Sequence, residues 1–267
     1  MDGTILPAPS LWRSLQIQGR VVWALLLREV ITRFGRRNVG VLWLMLEPML
    51  FTLGVTAMWS AAGLKHASSI PIVAFAITGY SSVLMWRNTV SHCVQAIQSN
   101  LNLLYHRNVL PIDVFLARIV LEIAGASASF ITLCALFTWF EWMEPPMDLL
   151  LVAGGWVMLG WFGAALALLV GAATAFGEVV KRFWTPTAYL LFPLSGAAFM
   201  VDWLPPPARD VVLLLPMVHG VEMLREGYFG GAVPAHYDLG YMAGINLVMT
   251  FLGLVLVRLA SRHVEAE

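Results

Sequence analysis

The residues able to do chemistry in this chain are few, and they stand apart from one another. Glu47 is followed at once by Pro48 inside an apolar run. Arg87, Arg118 and Glu122 stand near the ends of two others, and His219, Glu222 and Arg225 follow one another at intervals of three. A charge placed in hydrocarbon is costly, so each intramembrane ionisable residue is a functional candidate. His219 and Glu222 are both metal-ligating types, but no further ligand converges on them, and a metal is not expected. Glu222 and Arg225 would share a helix face and could pair there. The only lysines, Lys65 and Lys181, follow no GxxxxGK[ST] pattern, so the chain is not expected to cradle and split a nucleotide by itself. HExxH, GxSxG and paired acidic residues on one intramembrane helix face are all missing from the sequence. A catalytic centre is therefore not expected. Proton-coupled transport would call for more buried charge than this, so energy for any transport is expected from a separate subunit.

Composition explains why the charges are so sparse. Of 267 residues, 59% are hydrophobic and 12% charged, and the mean hydropathy is +0.77. Soluble domains carry about a quarter charged residues, so half that figure indicates a membrane protein. The net charge of +0 gives no field that would draw in nucleic acid. Cys93 and Cys134 are too few and too badly placed for a disulfide framework and read as free thiols. Met1 to Ser10 carry no basic stretch with a long apolar core, so the first spanning helix is expected to act as its own insertion signal.

About 20 apolar residues are needed to cross a bilayer as a helix, because lipid cannot satisfy backbone polar groups. Six segments meet that requirement: 39–63, 70–90, 114–140, 149–177, 183–201 and 239–257. The run from Val211 to Val221 is too short and contains Pro216, which suits a re-entrant segment over about 211–227. The expected fold is thus all-α and membrane-embedded, with a cytoplasmic segment over 1–38, a six-span domain over 39–262 and a short tail over 263–267. Basic residues orient it. All except Lys65, Arg209 and Arg225 fall on one side of such an arrangement, which puts both termini in the cytoplasm. Trp43, Trp59, Trp86, Trp139, Trp142, Trp184 and Trp203 fall near span ends, as an aromatic belt requires. Gly163, Ala167, Gly171 and Ala175 form a stripe of small residues, and Gly240 and Gly244 open the last span in the same way. Such stripes let helices approach closely, either within one chain or across a dimer seam.

The connections carry further signals. Over Leu11 to Phe34, Trp12, Leu15, Val22, Leu25, Leu26 and Val30 fall on one broad face. That pattern fits an amphipathic helix at the membrane interface or an ordinary basic flank. The cluster Arg33, Arg36, Arg37 and Asn38 follows, suited to lipid headgroups or to an anionic substrate. Gln98 to Pro111 reads as a short helix able to pass force from a soluble partner into the spans it joins, or as a plain connector.

At this point the residues carry a resemblance. The run from Leu27 to Pro48, LREVITRFGRRNVGVLWLMLEP, resembles the start of type-2 ATP-binding-cassette exporter permeases. There, an amphipathic helix leads through a basic turn and a Gly-x-Leu-Trp segment to Gln/Glu-Pro in the first span. The stretch from Leu204 through Pro216 to Arg225 is similar to that family's re-entrant region. The nearest subgroup is the bacterial capsular polysaccharide export permease, and the likeness extends from about Leu11 to Arg262. This chain has Glu47 where Gln is more frequent.

The resemblance implies an inner-membrane homodimer, each subunit bound by one nucleotide-binding subunit that holds ATP and Mg; no cofactor would be bound by this chain. The cargo would be a lipid-linked anionic polysaccharide, received by periplasmic and outer-membrane export proteins. Arg33, Arg36, Arg37, Asn38, Glu47 and Arg87 would line its path. Tyr80 and Trp86 would stack on sugar rings or simply anchor in the membrane belt. Asn100, Leu103, Leu104, Tyr105, Arg107 and Pro111 would couple to the ATPase, and Pro216, His219, Glu222 and Arg225 would form the periplasmic gate. The alternatives are a permease for O-antigen or teichoic acid, an intramembrane enzyme acting on lipid-linked glycans through His219 or Glu222, and a structural scaffold.

Overall fold

The structure is a computed structural model that describes residues 11–34, 39–61, 70–104, 109–232 and 234–264. Among these residues every regular element is helical. The long helices are α1 (Leu11–Phe34), α2 (Val39–Ala61) and α3 (Ile72–Cys93); after the short α4 (Leu101–Leu104) come α5 (Pro111–Trp139), α6 (Leu149–Ala173) and α7 (Glu178–Leu194). Two shorter helices, α8 (Pro206–Val212) and α9 (Pro216–Phe229), precede α10 (Leu239–Val264). Among the described residues, three segments, Pro111–Trp139, Leu149–Phe176 and Leu239–Arg262, are long and apolar enough to cross a membrane. Their outer faces carry Ile131, Leu150, Val157, Leu247 and Phe251, all well exposed, which suits lipid rather than water.

Local signals set the helix ends. Asp148 accepts from the amides of Leu150 and Leu151 at 2.8 and 3.1 Å and so caps α6. Asp238 accepts from the Tyr241 amide at 2.9 Å at the start of α10. Pro111 opens α5, where the missing N–H has no helical partner to lose. The apolar run over 183–201 does not form one helix. Instead α7 starts earlier, at Glu178, and stops at Leu194, one residue after Pro193, and the chain then turns through Gly196 at φ +82°.

Helix α3 is the centre of the molecule and packs against α2, α5, α6, α7 and α9. Its residues from Ala74 to Trp86 are all buried. The hydroxyls of Thr78, Ser82 and Thr89 there donate to the carbonyls of Ala74, Thr78 and Met85 at 2.8, 2.6 and 2.6 Å, so these buried polar groups are satisfied within the helix. The α6 small-residue stripe packs inside the chain. A Cβ at Gly163 would lie 3.0 Å from the Trp86 Cα, and one at Gly171 would lie 3.0 Å from the Cys93 carbonyl oxygen. Gly244 meets nothing within 4 Å.

The α6–α9 contact is closer still. A Cβ on Gly155 would lie 2.7 Å from the Leu224 nitrogen and 2.8 Å from the Gly220 oxygen, both of them backbone atoms. Gly155→Val is therefore expected to force the helices apart at a cost of about 1–3 kcal/mol, seen as a lower melting temperature in detergent. Gly54→Ala meets nothing within 4 Å and should hold or slightly raise it.

Helix α1 lies on α5 with its apolar residues divided between two sides. Val22, Leu25, Leu26 and Val30 are half-buried toward the chain, whereas Trp12, Leu15 and Trp23 are exposed. The single broad face expected from the sequence is split, because the inward residues meet protein and the outward ones stay exposed.

Candidate functional site

An aromatic ladder climbs one side of α3. The Arg87 guanidinium carbon sits 5.7 Å from the Phe51 ring of α2 and 5.8 Å from the Phe192 ring of α7. The Tyr80 ring, at centroid distances of 6.1, 5.4 and 5.4 Å, meets Phe51, Phe192 and Trp59. Trp59 then meets Phe75 at 6.1 Å, and Phe75 stacks on Trp203 at 5.2 Å. Phe51 and Trp59 are eight residues apart on α2, two turns along one face. Phe75 and Arg87 are twelve apart on α3, so the ladder rises about 18 Å at 1.5 Å per residue. Phe51 is exposed and Trp59, Phe192 and Trp203 are half-buried, whereas Tyr80 and Phe75 are buried behind them. The outer four rings therefore present apolar faces, with a cation at one end, to a chain of rings, and the inner two hold them in place.

At the Cys93 end of α3, polar contacts join four segments. Arg118 of α5 has its Nε 3.0 Å from Glu29 Oε1 of α1. Its other nitrogens donate to the His92 carbonyl at 2.5 Å and to Ser99 Oγ at 3.2 Å. His92 Nδ1 lies 2.9 Å from Glu122 Oε1. Arg28 donates to Asn100 Oδ1 at 2.7 Å, and Gln18 donates to Asp113 Oδ1 at 3.1 Å. Helix α1 is thereby fastened to α5 and to the 98–104 segment through three separate contacts.

At the Ile72 end, α9 carries a second polar knot. Arg225 is fully buried, its face 3.9 Å from the Phe75 ring. It donates to the carbonyls of Gly196, Phe199 and Ala197 at 2.6, 2.7 and 2.7 Å. Glu222 accepts from the amides of Val201 and His236, both at 3.2 Å. His219 Nδ1 accepts from the Asp238 amide at 2.9 Å, so the proton sits on Nε2, which donates to the Leu213 carbonyl at 2.8 Å. Both ring nitrogens are thus engaged, and neither is free to bind a metal. Nearby, the Tyr237 phenol donates to Glu226 Oε2 at 2.5 Å. That hydrogen bond, with burial, pushes its pKa up to about 12, so it remains a donor at neutral pH.

The sequence-derived candidates fall unevenly on this geometry. Tyr80 and Arg87 belong to the ladder, and Arg87 stands beside Phe51, at the middle of α2. Trp86 does not: it is fully buried, edge-on to Phe162 of α6 at 6.0 Å. Glu47 is exposed and Pro48 buried, within an α2 that continues through the proline. Arg33 ends within α1, while Arg36, Arg37, Asn38, Tyr105 and Arg107 lie outside the described residues. Asn100 is buried, Leu103 and Leu104 are half-buried, and Pro111 is buried at the start of α5. Pro216 opens α9. The expected Glu222–Arg225 pair does not form a direct ion pair, because each group turns to backbone partners on either side of α9. Sequence reasoning missed Phe51, Phe75 and Phe192, and read Trp59 and Trp203 only as belt residues. The eight-residue spacing of Phe51 and Trp59 was the one available signal.

Comparison with known proteins agrees with the architecture. The family model described as ABC-2 type transporter matches residues 20–229. The capsule polysaccharide export inner-membrane protein CtrC of Neisseria meningitidis serogroup B is 43% identical over 258 residues, covering 97% of each chain. The capsule polysaccharide export inner-membrane protein BexB of Haemophilus influenzae is 40% identical over 255 residues, 96% of each. The polysialic acid transport protein KpsM of Escherichia coli is 30% identical over 248 residues, covering 91% of this chain and 94% of that one. With the family model spanning more than half of its length, this chain belongs to the ABC-2 type transporter family.

Proposed function

We propose that this chain is the membrane permease subunit of an ATP-driven exporter that carries lipid-linked capsular polysaccharide across the bacterial inner membrane. The observation that carries this reading is the 40–43% identity, over almost the whole chain, to proteins named for capsule polysaccharide export. In this reading α2, α3, α5, α6, α7 and α10 are six spans and both termini are cytoplasmic. Helix α1 lies in the interface, and α8 with α9 forms a re-entrant hairpin on the periplasmic side. Two copies pair, each served by one ATPase subunit that holds ATP and Mg, and periplasmic and outer-membrane export proteins receive the polymer. The chain itself performs no hydrolysis.

The aromatic ladder supports the choice of cargo. Sugar rings have apolar faces that lie flat on aromatic side chains, and a row of such contacts lets a polymer advance without a deep well at any one step. The gene-deletion strain is expected to lose surface capsule and to regain it with the wild-type gene. Phe51→Leu and Trp59→Leu, which keep apolar bulk but lose the flat face, should each lower surface polysaccharide several-fold, while Phe51→Tyr keeps it. Capsule that persists in the deletion strain refutes the assignment; full export by both leucine variants refutes the ladder as the path.

A further inference from the structure

Between the Cys93 half of α3 and the first half of α7 is a cavity of about 290 Å³ that shares only Arg87 with the ladder. Its walls include Arg87, Asn88, Ser91, Gln95, Lys181 and Tyr189. Two of these are cations and the rest are neutral hydrogen-bonding groups; among the described residues no carboxylate lines the cavity. Lys181 spends one N–H on Gln98 Oε1 at 3.0 Å, which leaves two more. Ser91 Oγ accepts from the Trp184 indole at 3.1 Å, so its own proton is free to turn into the cavity. Arg87 is the most telling of the set. Two rings hold its guanidinium in place, and among the described residues no carboxylate lies within ion-pair distance. A half-buried guanidinium with forked donors on the wall of a cavity, and no carboxylate beside it, is suited to receive an anion.

We propose that this cavity binds the anionic group of the cargo, a phosphate ester or a carboxylate, with Arg87 and Lys181 as its counter-ions. The proposal rests on the export reading for the word cargo, but the binding chemistry stands on the cavity alone. Planar, forked donors suit both oxyanions, and Arg87 closes the lower end of the ladder. An anion held here would set the sugar next to it against Phe51 and Phe192. Charge and stack would then act in sequence, the first fixing one end of the molecule and the second guiding the rest.

The test is native mass spectrometry of the full chain in neutral detergent, titrated with diacyl phosphatidic acid in one arm and with a galacturonic acid trimer in the other. Wild type should bind at least one of the two probes. Arg87→Gln and Lys181→Gln should each raise the dissociation constant about tenfold or more, the loss of one charge-assisted contact. Arg182→Gln removes a charge one residue away, on an exposed side chain paired with Glu178, and should change nothing. Binding confined to phosphatidic acid identifies a phosphate site, and binding confined to the trimer a carboxylate site. Should Arg87→Gln fail to fold, Lys181→Gln at the rim decides the matter. The proposal is overturned if wild type binds neither probe, or if the variants bind as wild type does. Because the readout is binding, an intact capsule in the deletion strain would refute the export reading without touching this result.

Discussion

Replacing Arg225 by leucine is expected to lower the melting temperature of the purified protein in detergent by about 10 °C or more. The side chain is wholly buried, and its guanidinium donates to three carbonyls of the bend between α7 and α8 at 2.7 Å or less. Each buried acceptor stripped of its donor costs about 1–3 kcal/mol, and 1 kcal/mol moves the midpoint of a chain this size by about 2–4 °C. Helix α3 is shaped to admit the group: a Cβ at Gly79 would lie 2.6 Å from Arg225 Nη2 and 2.4 Å from the Ala197 oxygen. Lysine should rescue little, because one compact ammonium lacks the planar fork that reaches Gly196, Phe199 and Ala197 together. Loss of the fork should also release Phe75, the ladder ring that Arg225 faces, so export should fall even where some folded protein survives. A leucine variant that melts within about 2 °C of wild type would show that the bend stands without its cation.

Where the sequence was legible and where it was not follows from the range of the forces involved. The helices themselves were readable, since each needs only its own run of apolar residues; α5, α6 and α10 lie close to the stretches read as spans. Helix α7 was not, because the apolar run 183–201 gives no sign that Pro193 ends the helix while Glu178, a charged residue, begins it. Contacts between distant segments were harder still. Arg225 looked like the partner of Glu222 because the two are three residues apart, yet each found backbone groups 14 to 29 positions away in the chain. The ladder draws its rings from α2, α3, α7 and the turn at Trp203, and no local pattern ties those together. Trp86 was picked out by its type and its place near a span end, and packing against Phe162 placed it in the core. Gly163 and Gly171 left two uses open, within one chain or across a seam. Only the distances to Trp86 and Cys93 assign them to the chain's own core.

Breaking the contact between Glu29 and Arg118 is expected to leave the permease assembled but disconnected from its energy source. Arg118 is buried and touches α1 through Glu29, the end of α3 through the His92 carbonyl, and the 98–104 segment through Ser99. In the proposed topology α1 and the 98–104 segment face the ATPase subunit while α3 and α5 hold the conduit. A push on the short segment reaches the spans through whatever is stiff between them, and a buried guanidinium gripping three segments is stiffer than a greasy contact. Arg118→Ala should cut exported polysaccharide about tenfold or more while ATP hydrolysis by the complex continues, and Glu29→Ala should do so to a smaller degree, because Arg118 keeps His92 and Ser99. The double variant should then fare no worse than Arg118→Ala alone, with a coupling energy of about 0.5–3 kcal/mol in the cycle, as for residues that act through one another. Strict additivity of the two losses would mean that Glu29 and Arg118 work separately. Normal export by Arg118→Ala would mean that force travels elsewhere, through Arg28 and Asn100 at 2.7 Å as the next stiffest contact.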